Sequence, residues 1–360
     1  MNDSTVHSIS VVDLLSSSGL PPFSNHPAWI AFQSECSDLH RTHAHLKQGT
    51  RASRKLTSAH DLKRYHNVAT VSRDGLLVVK RTEPFSPCTE LIIVPRTLLH
   101  GFLTAMHLWL DHPSAHHLKQ LVDQKFYALN MIDAAEEISE NCPTCASLRT
   151  VPKPLMAQSS DDPPEGIGIT FAADVMCHNR QLIFALRETI TSYTNTSLLN
   201  SATHESLRSA LLCLCLALRP LVRPHAVICV DPAPGFVALQ NDNVLAHHGI
   251  SLELGRVKNP NKNPVAECAV QELEQELLKT SQRGGFITAM TLANATARLN
   301  SPIRSRGLSS REMWTQRDQF SNAQLLISDM TLITAQHHAR ELNHPYSGRS
   351  KAHKMDDQSP

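Results

Sequence analysis

Two sets of side chains in this sequence are of types that could bind metal ions. The first is Asp174, Asp231 and Glu267, with 35 residues between the last two. Asp174 interrupts the apolar run GITFAADVM, and a carboxylate inside an apolar strand is costly unless it is paired or holds a metal. Asp231 ends the run AVICVD and meets the turn PAPG, where an Asp before proline also has an ordinary turn-forming role. Glu267 follows Asn263 and Pro264, a good N-cap and first helical residue. It therefore falls in an opening helical turn, where the helix dipole favours an ionised carboxylate whatever its job. Together the three could supply hard oxygen ligands for magnesium or manganese. The second set is His107 and His112, four residues between them, then, after 29 intervening residues, Cys142 and Cys145 with two between them. Four such side chains can close a tetrahedral zinc site with no open position, which makes it structural. His116 and His117 are alternative histidines, since His112 and His116 would share a helix face.

These side chains need elements to carry them. Residues 1–74, rich in Ser, His and Pro, read as a poorly ordered leader. Residues 75–150 read as a hairpin in GLLVVKRTEPFSPCTELIIVPRTLL followed by helices from about Arg96 to Leu121 and from Ile132 to Ser139, leading into NCPTC. This small helical His-His-Cys-Cys segment is expected to fold only when metal supplies the missing energy. Residues 151–165 have linker composition. The stretch 166–300 then runs strand (IGITFAADVM), strand (QLIFALRETI), strand (TSYTNTSLLN), helix (THESLRSALLCLCLALRPL), strand (AVICVD), helix (GFVALQNDNVLAHHG), strand (ISLELGR) and a helix from Pro264. In that last helix Ala266, Ala269, Val270, Leu273 and Leu277 form an apolar stripe flanked by Glu272 and Glu274. The order predicts an α/β, ribonuclease H-like mixed sheet covered by helices. Residues 301–360 read as a helical and disordered tail ending in SGRSKAHKMDDQSP.

Composition bounds the function. Lys+Arg 34 against Asp+Glu 33 excludes a globally basic nucleic-acid binder, though not a local basic patch. Nine cysteines, an odd number, do not suit a secreted disulfide framework, and the N-terminal stretch lacks the charge pattern of a signal peptide. The longest apolar run, ALLCLCLAL, is too short to cross a bilayer. A nuclear or cytoplasmic protein, neither secreted nor membrane-bound, is expected. The 21 histidines dilute the weight of any single histidine pair.

Taken together, the two sets resemble the integrase of retroviruses and long-terminal-repeat retrotransposons. That family carries Asp, Asp, then Glu after 35 residues, preceded by a His-His-Cys-Cys zinc domain. HLWLDHPSAHHLKQLVDQKFYALNM, DPAPGF, KNPNKNPVAE and GLSSREMWTQRDQF look like the corresponding region of Gypsy or BEL-type elements, and the resemblance covers about residues 75 to 345. It implies that Asp174, Asp231 and Glu267 are catalytic and hold two magnesium or manganese ions, and that His107, His112, Cys142 and Cys145 hold structural zinc. It also implies 3′-end processing and strand transfer on double-stranded DNA, at element ends and target, by a homo-oligomer. Arg256, Lys258 and Lys262 stand where they could contact phosphate, as could Arg304, Arg306 and Arg311 with less weight.

The sequence departs from the family in lacking a clear small β-barrel or chromodomain after about residue 300. Polymerase Tyr-x-Asp-Asp and protease Asp-Thr/Ser-Gly motifs are also missing from it, and its charge is less basic than is usual for integrases. A second reading follows, that of a truncated or domesticated derivative binding DNA or protein without catalysis. Ribonuclease H proper is disfavoured, because its fourth carboxylate and usual spacing are not apparent.

Overall fold

The computed structural model describes residues 25–50, 60–83, 86–147, 166–218, 225–255, 263–280, 285–304 and 307–343. The chain forms two compact units, one comprising residues 1–152 with 317–326 and the other 153–316 with 327–360.

In the first unit, helices α1 (His26–Glu35), α2 (Ser37–Gln48) and α3 (His60–Val68) precede a hairpin built on β1 (Ala69–Val71), β2 (Leu77–Glu83) and β3 (Ser86–Ile93). Helices α4 (Arg96–Trp109) and α5 (Ala115–Val122) follow, then β4 (Phe126–Tyr127), α6 (Met131–Asn141) and the short α7 (Pro143–Ser147). The sheet runs β1-β2-β3-β4, antiparallel except for the last pair. Its core is aromatic: Trp29 of α1 packs against Phe102 of α4 and Phe126 of β4, with ring centroids 5.5 and 5.2 Å apart. Gln33, also on α1, is buried and donates to the carbonyls of Leu77 and Ile93 while accepting from the Leu77 amide.

The N-terminal stretch therefore differs from the leader expected of residues 1–74. Its described residues, 25–50 and 60–74, carry three helices, and α1 supplies part of the core. The sequence hides this because α1 offers only Ala28, Trp29 and Phe32 as buried apolar residues. So short a stripe gives little helical signal alone and is stabilised by what it packs against. The tail differs as well, since residues 317–326 belong to the first unit, where Lys125 pairs with Asp318 at 3.0 Å. The interdomain linker and the final SGRSKAHKMDDQSP lie outside the described residues.

The second unit is built on β5 (Thr170–His178), β6 (Gln181–Glu188), β7 (Thr194–Leu199), β8 (Ala226–Val230) and β9 (Ile250–Leu254), in the order β7-β6-β5-β8-β9. The first three form an antiparallel meander, and β8 and β9 add in parallel to β5. Helix α8 (His204–Leu218) and the short α9 (Pro234–Val237) and α10 (Asn243–His247) fill the connections, with α11 (Pro264–Thr280), α12 (Ala289–Leu299), α13 (Ser310–Thr315) and α14 (Asp329–Asn343) after the sheet. This is a ribonuclease H-like mixed sheet with helices on both faces. Phe171, Ala173 and Phe184 point toward α8, together with Ile228 and Val230. Met176 and Ile183 point toward Leu273 and Leu277 of α11 and Leu292 of α12. The side-chain period of two then fixes the rest: Asp174, in step with Met176, lies on the α11 face.

Candidate functional site

The strand register brings the first two carboxylates together. The parallel β5–β8 ladder runs from Thr170 opposite Val227 to Ala173 opposite Val230, so Asp174 and Asp231 are the next residues on neighbouring strands. They sit where β8 ends and the chain turns away, the crevice at the carboxyl ends of strands where open α/β sheets place ligands. The third carboxylate arrives from the covering helix. Asn263 begins α11: its carbonyl accepts from the Glu267 amide at 3.0 Å and its side-chain Oδ1 from the Ala266 amide at 3.4 Å. Glu267 thus occupies the first turn. Ala266, Ala269, Leu273 and Leu277 are fully buried beneath it, as the apolar stripe predicts.

The electrostatics suit a cation. Burial pushes the Asp174 carboxyl above its usual range, opposed by the Val175 amide it accepts from at 2.7 Å and reinforced by the negative charges of Asp231 and Glu267. Asp231 Oδ1 is buried and accepts no hydrogen bond among the described residues. A buried carboxylate oxygen without a donor, beside two more carboxylates, fits oxygen ligation of a hard divalent ion. The same ion would offset the repulsion among the three charges.

The His/Cys group is assembled by the end of α4 and the α6–α7 junction. After α4 the chain takes two consecutive left-handed residues, Asp111 and His112, each at φ 59°. This reversal, held by the His112 amide donating to the His107 carbonyl at 2.8 Å, turns His112 back toward His107. His107 Nε2 lies 3.1 Å from His112 Nδ1, Cys142 Sγ 3.2 Å from His112 Nδ1, and Cys145 Sγ 3.4 Å from His107 Nε2. A tetrahedral ion with nitrogen and sulfur ligands at about 2.0 and 2.3 Å needs donor separations of roughly 3.3–3.8 Å. All four donor atoms lie within 4.8 Å of one another, and they form a group that can hold a metal ion. His116 and His117 lie on α5 and are not part of it. Among the described residues no other group of three or more such side chains converges as closely, the three carboxylates included.

Many solved structures are similar to the chain, two of them as follows. One is the catalytic core domain of BIV integrase, 20% identical, covering 41% of this chain and 95% of that one, with a TM-score of 0.35. The other is the simian T-cell lymphotropic virus intasome in complex with PP2A regulatory subunit B56 gamma, 15% identical, covering 59% and 74%, with a TM-score of 0.39. No family model and no curated protein matches the chain. The fold assignment rests on the strand order and directions given above.

The basic residues fare differently. Arg256, Lys258 and Lys262 lie outside the described residues, as does Arg306. Arg304 is engaged inside the unit: it clasps Glu272 of α11, as does Arg187 of β6, whose side chain is buried and also donates to Thr194 Oγ1 at 2.8 Å. Glu272, which flanks the apolar stripe, is therefore the centre of an ion network. One signal for it stands in the sequence, an arginine near the end of the apolar strand QLIFALRE, because a buried cation needs a partner. A groove of about 440 Å³ between β7 and α12, with Tyr193, Thr196, Leu292 and Arg311 among its lining residues, contains none of the three carboxylates.

Proposed function

We propose that this chain is an integrase-type polynucleotidyl transferase of a long-terminal-repeat element, Gypsy or BEL in type, that cuts the ends of element DNA and joins them to target DNA. The observation that carries this reading is the placement of Asp174 and Asp231 at consecutive positions past the β5–β8 ladder, with Glu267 in the first turn of the helix on the same face. Asp174, Asp231 and Glu267 would hold two magnesium or manganese ions. When bound, such a pair activates the attacking oxygen of a phosphodiester displacement and stabilises the leaving one.

The chain's own residues supply position and charge. Adjacent strands hold Asp174 and Asp231 at a spacing fixed by the backbone, and α11 presents the positive end of its dipole to Glu267. A strand end, rather than a deep pocket, can admit a DNA duplex. Asp174, made harder to ionise by burial and like charges, gains most from a cation. No covalent enzyme intermediate is needed. Arg256, Lys258 and Lys262 are proposed as contacts to DNA phosphates, and His107, His112, Cys142 and Cys145 as ligands of a structural zinc. Joining two DNA ends calls for more than one copy of the chain, working in the nucleus or cytoplasm.

The test is to incubate purified protein with labelled double-stranded oligonucleotides and manganese, comparing wild type with Glu267→Gln, which keeps shape while removing charge. Nicking or strand-transfer products that vanish in the variant are the expected result. If both proteins retard DNA equally and neither cuts it, the chain is a non-catalytic integrase-derived binding module.

A further inference from the structure

Asn263 is buried at 4% exposure, and its side chain is fully engaged. Nδ2 donates to the Ala173 carbonyl at 3.1 Å and to the Cys229 carbonyl at 3.0 Å, while Oδ1 accepts from the Ala266 amide. Ala173 immediately precedes Asp174, Ala266 immediately precedes Glu267, and Cys229 lies two residues before Asp231. We infer that Asn263 is a positioning residue that sets the three carboxylates relative to one another by joining the backbones of β5, β8 and α11 through a single amide. The inference rests on the metal-centre reading above.

Helix capping alone does not require this residue. Asp, Ser and Thr cap a helix about as well as Asn, through the same acceptor. What they lack is a nitrogen with two hydrogens, which only a primary amide combines with an acceptor on so short a side chain. The second function is needed at this place because the β5–β8 ladder makes its last rung at Ala173 and Val230. Past that rung the strands are no longer tied by their own pairing, and the next residues are two carboxylates that repel each other. One Asn263 hydrogen goes to each strand, to Ala173 in the last rung and to Cys229 in the rung before it, so the side chain braces the end of the ladder. Its own backbone starts the helix that brings Glu267, whose amide donates to the Asn263 carbonyl. Groups that orient metal ligands in this way typically alter metal affinity by roughly 10- to 100-fold when removed.

The test uses the full chain and manganese as the probe. Mn²⁺ affinity is measured by electron paramagnetic resonance on wild type, Asp174→Asn, Asn263→Ser and Asn263→Thr, with circular dichroism and thermal melting alongside. The Ser and Thr variants keep a capping oxygen and lose the double donation. Wild type is expected to bind Mn²⁺ and Asp174→Asn to lose that binding. The two Asn263 variants should keep the wild-type circular dichroism spectrum and bind Mn²⁺ roughly tenfold more weakly or worse. Nicking by these variants should then recover at high manganese, a shift in metal requirement rather than in maximal rate. Wild-type Mn²⁺ affinity in both would overturn the positioning role and leave the metal centre standing. Failure of both to fold would also overturn it, because the side chain would then be holding the unit together. Absence of Asp174-dependent Mn²⁺ binding in wild type would remove the metal-centre reading itself, and this inference with it.

Discussion

Arg304 grips Glu272 at both carboxylate oxygens, Nη1 to Oε1 and Nη2 to Oε2, each at 2.9 Å, a bidentate pairing that fixes direction as well as charge. Arg187 of β6 donates to Oε2 from the other side, at 2.5 Å. The pairing ties α11, the helix that carries Glu267, to the sheet and to the segment after α12.

Acid should weaken this tie only after it has protonated more ordinary carboxylates. Burial would raise the Glu272 carboxyl, but hydrogen bonds from Arg304 and the charges of both arginines outweigh it and hold it at about 2, against an ordinary 4.5. A depressed folded-state value means stability that is present above pH 4.5 and lost as the pH falls toward 2. Glu272→Gln should remove that component, so that the difference in melting temperature between wild type and variant shrinks across this window. At neutral pH, Glu272→Ala should cost on the order of 2 kcal/mol, below the roughly 3–5 kcal/mol of a fully buried pair, because the Glu272 side chain keeps 36% exposure. Equal losses at pH 7 and pH 3 would show that the carboxylate charge is not what α11 relies on.

Trp29→Ala should destabilise the first unit by about 3–5 kcal/mol, the usual cost of emptying a large aromatic site. Trp29 is 1% exposed and meets Phe32, Phe102 and Phe126. Deleting residues 1–50 should do at least as much damage, since it also removes Gln33 from the two carbonyls it joins. Chemical denaturation of the variants measures this, and a truncated chain of wild-type stability would place α1 outside the core.

Chelation should act locally. The first unit has an apolar core running from Ala28 to Ile138, so it has packing to hold it besides the metal expected of the His-His-Cys-Cys segment. One zinc per chain is expected by metal analysis, and its removal should speed amide exchange at residues 108–114 and 141–147 far more than in the β2–β3 hairpin. Uniform acceleration across the unit would mean that the metal carries the whole fold.

Gly235→Ala should cost about 1–3 kcal/mol by overpacking. A Cβ there would stand 2.6 Å from Leu207 Cδ1 and 2.7 Å from the Ala202 carbonyl oxygen. The side chain can yield but the carbonyl belongs to the backbone, so the turn after Asp231 must shift. A fall in Mn²⁺ affinity beside the fall in stability would link the two; unchanged melting would show that the turn accommodates the methyl freely.

The sequence determined what is local or periodic. The apolar run GITFAADVM, the stripe from Ala266 to Leu277 and the Asn263-Pro264 start made the strand, the helix and its first turn legible, because each is set by neighbours a few residues away. The two pairs of zinc-type ligands were legible for the same reason, through short spacings. Tertiary structure alone decided which distant groups meet. The period of two put Asp174 on a face, but the parallel register of β5 with β8 set Asp231 beside it, and that register depends on a sheet order no local pattern encodes. Asn263 was readable as a cap and not as a bridge, because its two acceptors lie 34 and 90 residues away. Arg304, readable as a free cation, proved committed to Glu272, and the helices before residue 74 proved to be core. In each case the stabilising partner is remote in the chain, and burial against it, rather than propensity, decides the outcome.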